Sequence, residues 1–387
     1  MPELPTWIDR RVRPGQRALL LRVWPWLAPG AFVSGFLVDA ATLRRVDDIG
    51  DNLQLTLFLL GAGALLVLER RAWHGRAVPA LVHAQRGLLR LGMQVLFGGL
   101  FSAYVIFYSQ SATFGPSLLF CALLAGLMLA NELFFEKLEP DVPQVALWFF
   151  CALSYLLFAV PTWTGHLGWA TRVLAALLAL LATAGLVALM HWGPVVLPDP
   201  PRGPEAGPSP SVRVALLQSG AASLGLLLLL WVGVLVGAVP PVPLALADAG
   251  IFHGVERSDD GFLLTWEEPP WYAPWRSDDR RFVLREGDKV HCFTAVFAPS
   301  GADLAILHAW EHREEGGDWQ ETDRIPWQMK GGRDGGWRSW TAKRNVSPGD
   351  WRVRVLSEHG DELGRVRFEV VLPEEGQEAP ARRQRVY

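Results

Sequence analysis

The N-terminal part of the chain, up to about residue 240, consists of long apolar runs separated by short polar segments. A helix that crosses a bilayer needs about 20 predominantly apolar residues. Seven runs are close to that length, at 23–38, 53–68, 91–108, 114–135, 145–163, 173–192 and 214–239. The pattern therefore predicts an α-helical multi-pass membrane bundle of about seven spans.

One polar segment divides the predicted bundle. Residues 194–213 are rich in proline and glycine, which indicates an extended, solvated linker between a six-span region, 1–193, and a seventh span, 214–239. The first run, 23–38, follows five arginines, as the apolar part of a secretory signal would. Because it is long, contains two prolines and is followed by no clean small-residue cleavage site, we interpret it as a retained span.

Beyond residue 245 the hydrophobic pattern changes to a period of two. Val290, Cys292, Thr294 and Val296 form one such set, and Gly, Pro and Asp clusters separate it from similar short segments. Short alternating segments without helical stretches predict an all-β, sandwich-like soluble domain over 245–372. The polar segment that follows, 373–387, is predicted to be a disordered tail.

Several motifs in this part carry a resemblance to a bacterial family. They are His308-Ala309-Trp310, Trp337-Arg338-Ser339-Trp340-Thr341, Gly349-Asp350-Trp351-Arg352-Val353 and Phe368-Glu369-Val370. Over roughly 293–371 the chain resembles the domain of unknown function 2914, although Thr341 stands where Ser is more usual. The resemblance implies a small extracytoplasmic β domain behind an uncharacterised multi-pass region, and it implies no particular activity.

The distribution of arginine and lysine predicts an orientation. With seven spans and a cytoplasmic N-terminus, the inner segments hold 13 Arg and Lys residues and the outer loops hold three. Cytoplasmic loops are enriched in these residues. We therefore predict an inner-membrane protein with its N-terminus in the cytoplasm and its C-terminal domain in the periplasm.

Charge and composition exclude several other functions. Residues 245–387 hold 20 basic and 26 acidic residues, so the soluble part lacks the basic field of a nucleic-acid-binding protein. No phosphate loop, dinucleotide fingerprint, Cys-x-x-Cys or nucleophile-elbow motif is present. We therefore predict no cofactor, no metal ligands and no catalytic residues, and the sequence leaves open whether the protein is an enzyme.

Three polar residues inside the predicted spans are candidates for an ion or proton pathway: Gln94, Asn131 and Glu132. Polar side chains at membrane depth are functional candidates by default. Glu132 lies near the end of its run, however, so extension of its side chain toward water is the more economical interpretation.

The candidate ligand-binding residues of the soluble part are mainly aromatic. Trp337 and Trp340 flank Arg338, and Trp271 and Trp275 lie in a proline-rich segment. Exposed rings beside an arginine can bind a sugar ring, a peptide or a lipid headgroup through stacking and cation–π contacts. The alternatives are core packing or anchoring at the membrane interface, and Trp310 and Trp351 are predicted to be core residues.

His308 is a further candidate binding residue, and it could ligate a metal together with His291 or His312. On one strand, residues four apart are separated by about 13 Å, too far for His308 and His312 to share a zinc ion. His308 could still join His291 across neighbouring strands, about 4.8 Å apart, but no Asp, Glu or Cys is spaced to complete the ligand set. His308 is therefore better interpreted as a hydrogen-bonded framework residue.

Three functional hypotheses follow from these features. The first is a binding protein whose periplasmic β domain recognises an envelope component, such as a glycan, or a partner protein. The alternatives are a transporter or channel with a β-sandwich cap, and a membrane-embedded enzyme acting on lipid or glycan. A polar cavity near Gln94, Asn131 or Glu132 would favour transport, converging carboxylates or histidines at the outer face would favour an enzyme, and exposed tryptophans would favour binding.

Overall fold

The computed structural model describes residues 33–43, 46–112, 116–134, 141–194, 196, 211–314, 317–332, 336–373 and 381–387. These residues contain eight helices. In chain order they are α1 (Val33–Thr42), α2 (Ile49–Trp73), α3 (Ala80–Ala84), α4 (Arg86–Gln110), α5 (Pro116–Phe134), α6 (Asp141–Thr164), α7 (Trp169–His191) and α8 (Val212–Leu235).

Five helices, α2, α4, α6, α7 and α8, are long and apolar enough to cross a bilayer. The apolar parts of the other two candidates, Val33–Thr42 in α1 and Ser117–Asn131 in α5, are shorter. Within the described residues the prediction of about seven spans is therefore not supported. The reason is that most of the first predicted run lies outside these residues, and the apolar part of α5 is shorter than a bilayer-spanning helix requires.

The outward faces of the long helices are apolar. Leu60 on α2, Leu181 on α7, and Leu217 and Leu228 on α8 are 61–73% exposed. Contact of such surface with water costs roughly 25 cal/mol per Å², so these faces suit a lipid environment and indicate a membrane protein.

Aromatic residues fill the interior of the bundle. The hydroxyl groups of Tyr104 and Tyr108 on α4 donate hydrogen bonds to the carbonyl oxygens of Cys151 and Ser154 on α6, at 2.8 and 2.9 Å. These bonds satisfy the only polar atom of each buried ring, because a buried hydroxyl without a partner is costly. Helices α4 and α6 are thereby held in a fixed register.

Eleven strands form three sheets in the described part of the C-terminal region. They are β1 (Ala245–Phe252), β2 (Gly254–Ser258), β3 (Gly261–Glu267), β4 (Arg281–Val283), β5 (Val290–Phe297), β6 (Asp303–Arg313), β7 (Gln320–Lys330), β8 (Trp337–Lys343), β9 (Gly349–Ser357), β10 (Glu362–Val371) and β11 (Arg382–Val386). The strand orders are β1-β5-β8, β4-β10-β9-β6-β7 and β11-β3-β2. All pairs are antiparallel except β10 with β4.

The sheets pack as three layers around strand β5. One face of β5, with Val290 and Cys292, packs on Trp310, Trp351 and Phe368 of the five-stranded sheet. Its other face, with Phe293 and Ala295, packs on Phe252, Leu264 and Trp266, next to the β11-β3-β2 sheet. The predicted sandwich is present, and a third sheet covers its outer side. Trp310 and Trp351 are 0% and 2% exposed, which confirms their assignment to the core.

The prediction of a disordered tail over 373–387 was wrong for its last part. Residues Arg382–Val386 form β11, which pairs with β3 from Arg382 opposite Glu267 to Val386 opposite Leu263. The polar composition misled the prediction because β11 is an edge strand, held by backbone hydrogen bonds and by the packing of Tyr387 on Phe293 at 5.0 Å. Residues 374–380 lie outside the described part of the chain.

Loops at one end of the bundle contact the β domain. Asp47, before α2, accepts hydrogen bonds from the backbone nitrogen and hydroxyl of Ser300, at 3.1 and 3.0 Å. Arg172, in the first turn of α7, forms an ion pair with Asp361. Gly165, between α6 and α7, has a φ of 68°, and a side chain there would meet the carbonyl oxygen of Gly301 at 3.0 Å. The β domain therefore rests directly on the bundle.

Candidate functional site

An aromatic loop projects from the β domain between β3 and β4, over residues 268–280. It contains Pro269, Pro270 and Pro274, which cannot donate to a strand ladder and so prevent β3 from continuing. Trp271, Tyr272 and Trp275 are 90%, 61% and 78% exposed. Trp271 and Tyr272 contact each other edge to face, with ring centroids 5.9 Å apart, and large aromatic side chains at this exposure make the loop a candidate interaction surface.

Asp279 anchors the end of the loop in the interior. One carboxylate oxygen accepts a hydrogen bond from the Glu267 backbone nitrogen at 2.9 Å, and the other lies 2.8 Å from Nδ1 of His253. The His253 ring in turn stacks on Phe282, with the ring centroids 3.9 Å apart. Burial raises the pKa of the Asp279 carboxyl, and its hydrogen bond to His253 opposes the shift. Because this anchor is buried, the exposed rings project from a fixed base.

An open pocket of about 470 Å³ lies beside Trp275. Three arginines contribute to its lining, Arg276, Arg280 and Arg385, together with two aspartates, Asp248 and Asp278.

Two of these arginines are already paired in the pocket wall. Arg280 Nε lies 2.7 Å from Asp278, and an Arg385 terminal nitrogen lies 3.0 Å from Asp248. An arginine has five N–H donors in a planar fork, so donors remain for a ligand. The pocket therefore offers an aromatic face and guanidinium groups side by side.

The second predicted group, Trp337, Arg338 and Trp340, is not brought together on one surface. In β8, Trp337 lies opposite Val296 and packs with Leu304 and Ile306 between the sheets. Residues three apart on a strand point to opposite faces, so Trp340 lies on the outer face, 40% exposed and 5.5 Å from the His291 ring.

Arg338 contacts Tyr387, a residue that Arg385 of the pocket wall also contacts. It donates a hydrogen bond to the Tyr387 carbonyl oxygen at 2.9 Å and lies over the Tyr387 ring. Arg385, from the pocket wall, contacts the same ring at 5.6 Å. Tyr387 therefore connects Arg338 to the edge of the pocket.

His308 is fully buried and is surrounded by hydrogen-bonding partners. Trp327 Nε1 donates to its Nε2 at 3.2 Å, Thr294 lies 2.9 Å from the same nitrogen, and Thr341 lies 2.9 Å from Nδ1. Because the Trp327 nitrogen can only donate, Nε2 must accept and the ring proton is assigned to Nδ1. Burial lowers the pKa of His308 from 6.5 to about 4. From this position His308 does not reach a ligand outside the domain.

The intramembrane candidates lie beside an apolar cavity. The side-chain nitrogen of Asn131 donates to the backbone carbonyl of Gln94 at 3.0 Å, which joins α5 to α4. The cavity of about 530 Å³ that reaches Asn131 is otherwise lined by apolar residues of α5, α6, α8 and the segment after α8. Glu132 belongs to α5, but its side chain lies outside the described part of the structure. Among the residues lining this cavity, Asn131 is therefore the one polar side chain.

A polar pocket of about 460 Å³ occurs where the bundle meets the β domain. Its lining includes Asn52, Thr56, Tyr155 and Thr162, and it holds a single carboxylate, Asp47, which is hydrogen-bonded to Ser300. Among its described lining residues there are no converging carboxylates and no histidine, the groups that acid–base chemistry would require.

Sequence reasoning singled out Trp271 and Trp275, in a segment that includes Tyr272, but missed three neighbours, Arg276, Arg280 and Arg385. The first two lie in the same loop, so the clustering of arginine with aromatic residues was a usable signal. Arg385 belongs to the segment that was predicted to be disordered, and only the pairing of β11 with β3 places it in the pocket.

Comparison with known proteins identifies one region. Residues 303–370 match the family described as "Protein of unknown function (DUF2914)", which confirms the resemblance of the C-terminal region. No curated protein is significantly similar to the chain. One solved structure that matches is "Pseudomonas fluorescens alkylpurine DNA glycosylase AlkC bound to DNA containing an abasic site analog", at 14% identity, covering 85% of this chain and 100% of that one. Its TM-score is 0.21, so the similarity carries no argument about fold or function.

Proposed function

We propose that this is a multi-pass inner-membrane protein whose β domain lies in the periplasm and binds an envelope saccharide through the aromatic loop and its arginine-lined pocket. The exposure of Trp271, Tyr272 and Trp275 beside Arg276 and Arg280 carries the proposal. Sugar rings present C–H faces that stack on aromatic rings, and guanidinium groups donate to hydroxyl, carboxylate or phosphate oxygens. An acidic saccharide fits both parts of the surface.

The arginines at the helix ends support the orientation without depending on the number of spans. Arg70 and Arg71 lie in the last turn of α2, at the end remote from the β domain, and Arg76 follows that end. Arg90 and Arg213 lie near the starts of α4 and α8, at the same end of the bundle. At the opposite end, the described basic residue of the helices is Arg172, which is paired with Asp361. Excess positive charge marks the cytoplasmic side, so the β domain is assigned to the other side.

The position of the loop favours binding of a ligand rather than contact with the membrane surface. Strand β1 begins at Ala245, next to the bundle, and the loop is tied to its far end, where Asp279 donates its backbone N–H to the carbonyl oxygen of Ile251 at 2.8 Å. Six residues of strand span about 20 Å. Along the strand, this distance separates the anchor of the loop from the end of β1 that lies next to the bundle.

The test uses the full chain in lipid nanodiscs and acidic envelope polysaccharide fragments as the probe, with binding followed by calorimetry. A Trp271→Ala/Trp275→Ala variant is expected to bind about 5- to 150-fold more weakly, because two stacking contacts of about 0.5–1.5 kcal/mol each sum to about 1–3 kcal/mol. Trp340→Ala, which removes an exposed tryptophan outside the loop, is the matched control and should bind as the wild type does.

Three results would contradict the proposal. The first is equal binding by the loop variant and the wild type, and the second is binding of a soluble envelope protein but of no saccharide. The third is quenching of the loop tryptophans by brominated lipid, which would place the loop in the membrane interface. Orientation is tested separately with a reporter fused after Tyr387: alkaline phosphatase activity is expected, and activity of a cytoplasmic reporter alone would refute the periplasmic assignment.

A further inference from the structure

A buried polar cluster occupies the end of the bundle that is remote from the β domain. There, the end of α2, the start of α6 and the end of α7 meet. His74 follows α2, Asp141 begins α6 and His191 ends α7. His74 and His191 are each 2% exposed, and the Asp141 side chain is 19% exposed. Residues 67 and 50 positions apart in the sequence therefore meet in one place.

The three side chains converge on a common point. Nε2 of His74 lies 2.7 Å from Oδ2 of Asp141, and the His74 and His191 ring centroids are 4.7 Å apart. One nitrogen from each ring and one oxygen of the carboxylate all lie within 4.8 Å of one another. Around a tetrahedral zinc ion with bonds of about 2.0–2.1 Å, ligand atoms are separated by about 3.3 Å. Rotamer adjustments of less than about 2 Å would therefore bring these atoms to ligand spacing.

Neighbouring residues hold the carboxylate in place. A terminal nitrogen of Arg70 lies 3.3 Å from Oδ1 of Asp141, while Nε of Arg70 donates to Gln144 at 2.9 Å. The Arg70 charge is also balanced by Glu69, at 3.0 Å, which in turn contacts Arg90. The oxygen Oδ1 is thus occupied by Arg70, and Oδ2 faces the two imidazoles. Outer hydrogen bonds of this kind orient the carboxylate ligands of metal sites.

We propose that His74, Asp141 and His191 form a binding site for a divalent transition-metal ion of the zinc class. Two imidazoles and one carboxylate suit zinc and ferrous iron, whereas magnesium and calcium prefer sites made of oxygen atoms alone. In the metal-free form one proton closes the His74–Asp141 hydrogen bond. The ion takes the place of that hydrogen bond: the ring binds it as a neutral imidazole through the nitrogen that faced Asp141, and the ring proton moves to the other ring nitrogen. The partly exposed Asp141 side chain provides the route of entry.

A hydrogen-bonded network without a metal is the competing interpretation. A structural ion pair between Arg70 and Asp141 would fix α2 to α6 without either imidazole. That network does not require a third helix to place a second buried ring, His191, against His74. The metal site does require it, because His191 would be one of the ligands.

The experiment uses the full chain, purified in detergent through an affinity tag that contains no histidine, and stripped with a chelator. After addition of Zn²⁺ and desalting, mass spectrometry of the metal content is expected to give one zinc ion per chain, and Mg²⁺ should not be retained. Co²⁺ in place of Zn²⁺ should give the visible absorption bands of a site with nitrogen and oxygen ligands.

The variants His191→Ala and Asp141→Asn should each weaken Zn²⁺ binding by more than about 100-fold. Loss of a residue that only hydrogen-bonds to a metal ligand already lowers metal affinity by about 10–100-fold, and these two residues are ligands themselves. His166→Ala, which removes an exposed histidine from the α6–α7 loop, is the matched control. Equal zinc binding by the His166→Ala and His191→Ala proteins, or less than one zinc ion per wild-type chain at saturation, overturns the proposal. If a variant does not elute as a folded protein in size-exclusion chromatography, the Co²⁺ absorption spectrum of the wild-type protein tests the proposal instead. A spectrum identical to that of hydrated Co²⁺ overturns the proposal.

Discussion

Acidification is expected to destabilise the β domain through a single buried side chain, His308. In the folded state its Nε2 faces the N–H of Trp327 and the hydroxyl of Thr294. A proton added at Nε2 would point at the N–H of Trp327, and the charge would be buried without a counter-ion among these contacts. Burial therefore lowers the pKa of His308 from 6.5 to about 4.

The sign and size of the effect follow from proton linkage. Between pH 6.5 and about 4 the unfolded chain binds a proton that the folded domain excludes, so stability falls as the pH is lowered through this range. A tenfold change in an equilibrium constant corresponds to about 1.4 kcal/mol. The loss is therefore about 2 kcal/mol at pH 5 and about 3 kcal/mol once the pH is below 4. A loss of 2 kcal/mol is a large fraction of the stability of an ordinary domain.

The assay is urea unfolding of the full chain in detergent, followed by tryptophan fluorescence at pH 7 and pH 5. The His308→Gln variant removes this titration while it leaves other ionisable groups in place. Its loss of stability between the two pH values is expected to be about 2 kcal/mol smaller than that of the wild type. His312→Gln, on the same strand but half-buried, is the control and should follow the wild type. An equal loss in wild type and His308→Gln would refute the reasoning.

Three further predictions test the packing. Trp351→Ala should lower the free energy of unfolding by about 3–5 kcal/mol, because it leaves a cavity at a buried position. A loss below about 1 kcal/mol in the same urea assay would contradict the assignment of this ring to the core. Deletion of residues 381–387 should accelerate amide exchange in Gly261–Glu267, since β3 loses its β11 partner, and unchanged exchange there would show that β11 is not paired. Arg172→Asp should accelerate exchange in residues 357–361 relative to wild type, and a second change, Asp361→Arg, should restore slow exchange by reversing the ion pair; the absence of rescue would exclude this contact.

The helices and the main strands could be predicted because a local period specifies them. The run at 53–68 lies within α2, and the alternation from Val290 to Val296 lies within β5. The number of spans could not be predicted in the same way, because an apolar run does not show where its helix begins and ends. Strand β11 was missed because edge strands depend on pairing with a distant segment, here residues 115 or more positions away, rather than on their own composition.

The candidate sites depend on distance and exposure more than on residue type. Sequence identified Trp271 and Trp275 but could not show that both are exposed while Trp337 is packed between sheets. The separation of Trp337 from Trp340 could have been predicted from the sequence, since residues three apart on a strand point to opposite faces of the sheet. His74, Asp141 and His191 had no such signal, because they belong to three helices that meet only in the folded bundle.

The helices that support the β domain also carry the histidine cluster. Asp47, at the start of α2, and the α6–α7 loop hold the domain at one end, and the same three helices place His74, Asp141 and His191 at the other. A helix of 23–25 residues is about 35 Å long. The contacts with the β domain and the proposed metal site therefore lie at opposite ends of the same three helices, about 35 Å apart. A tilt of the domain that moved these helices relative to one another would change the spacing of the two imidazoles.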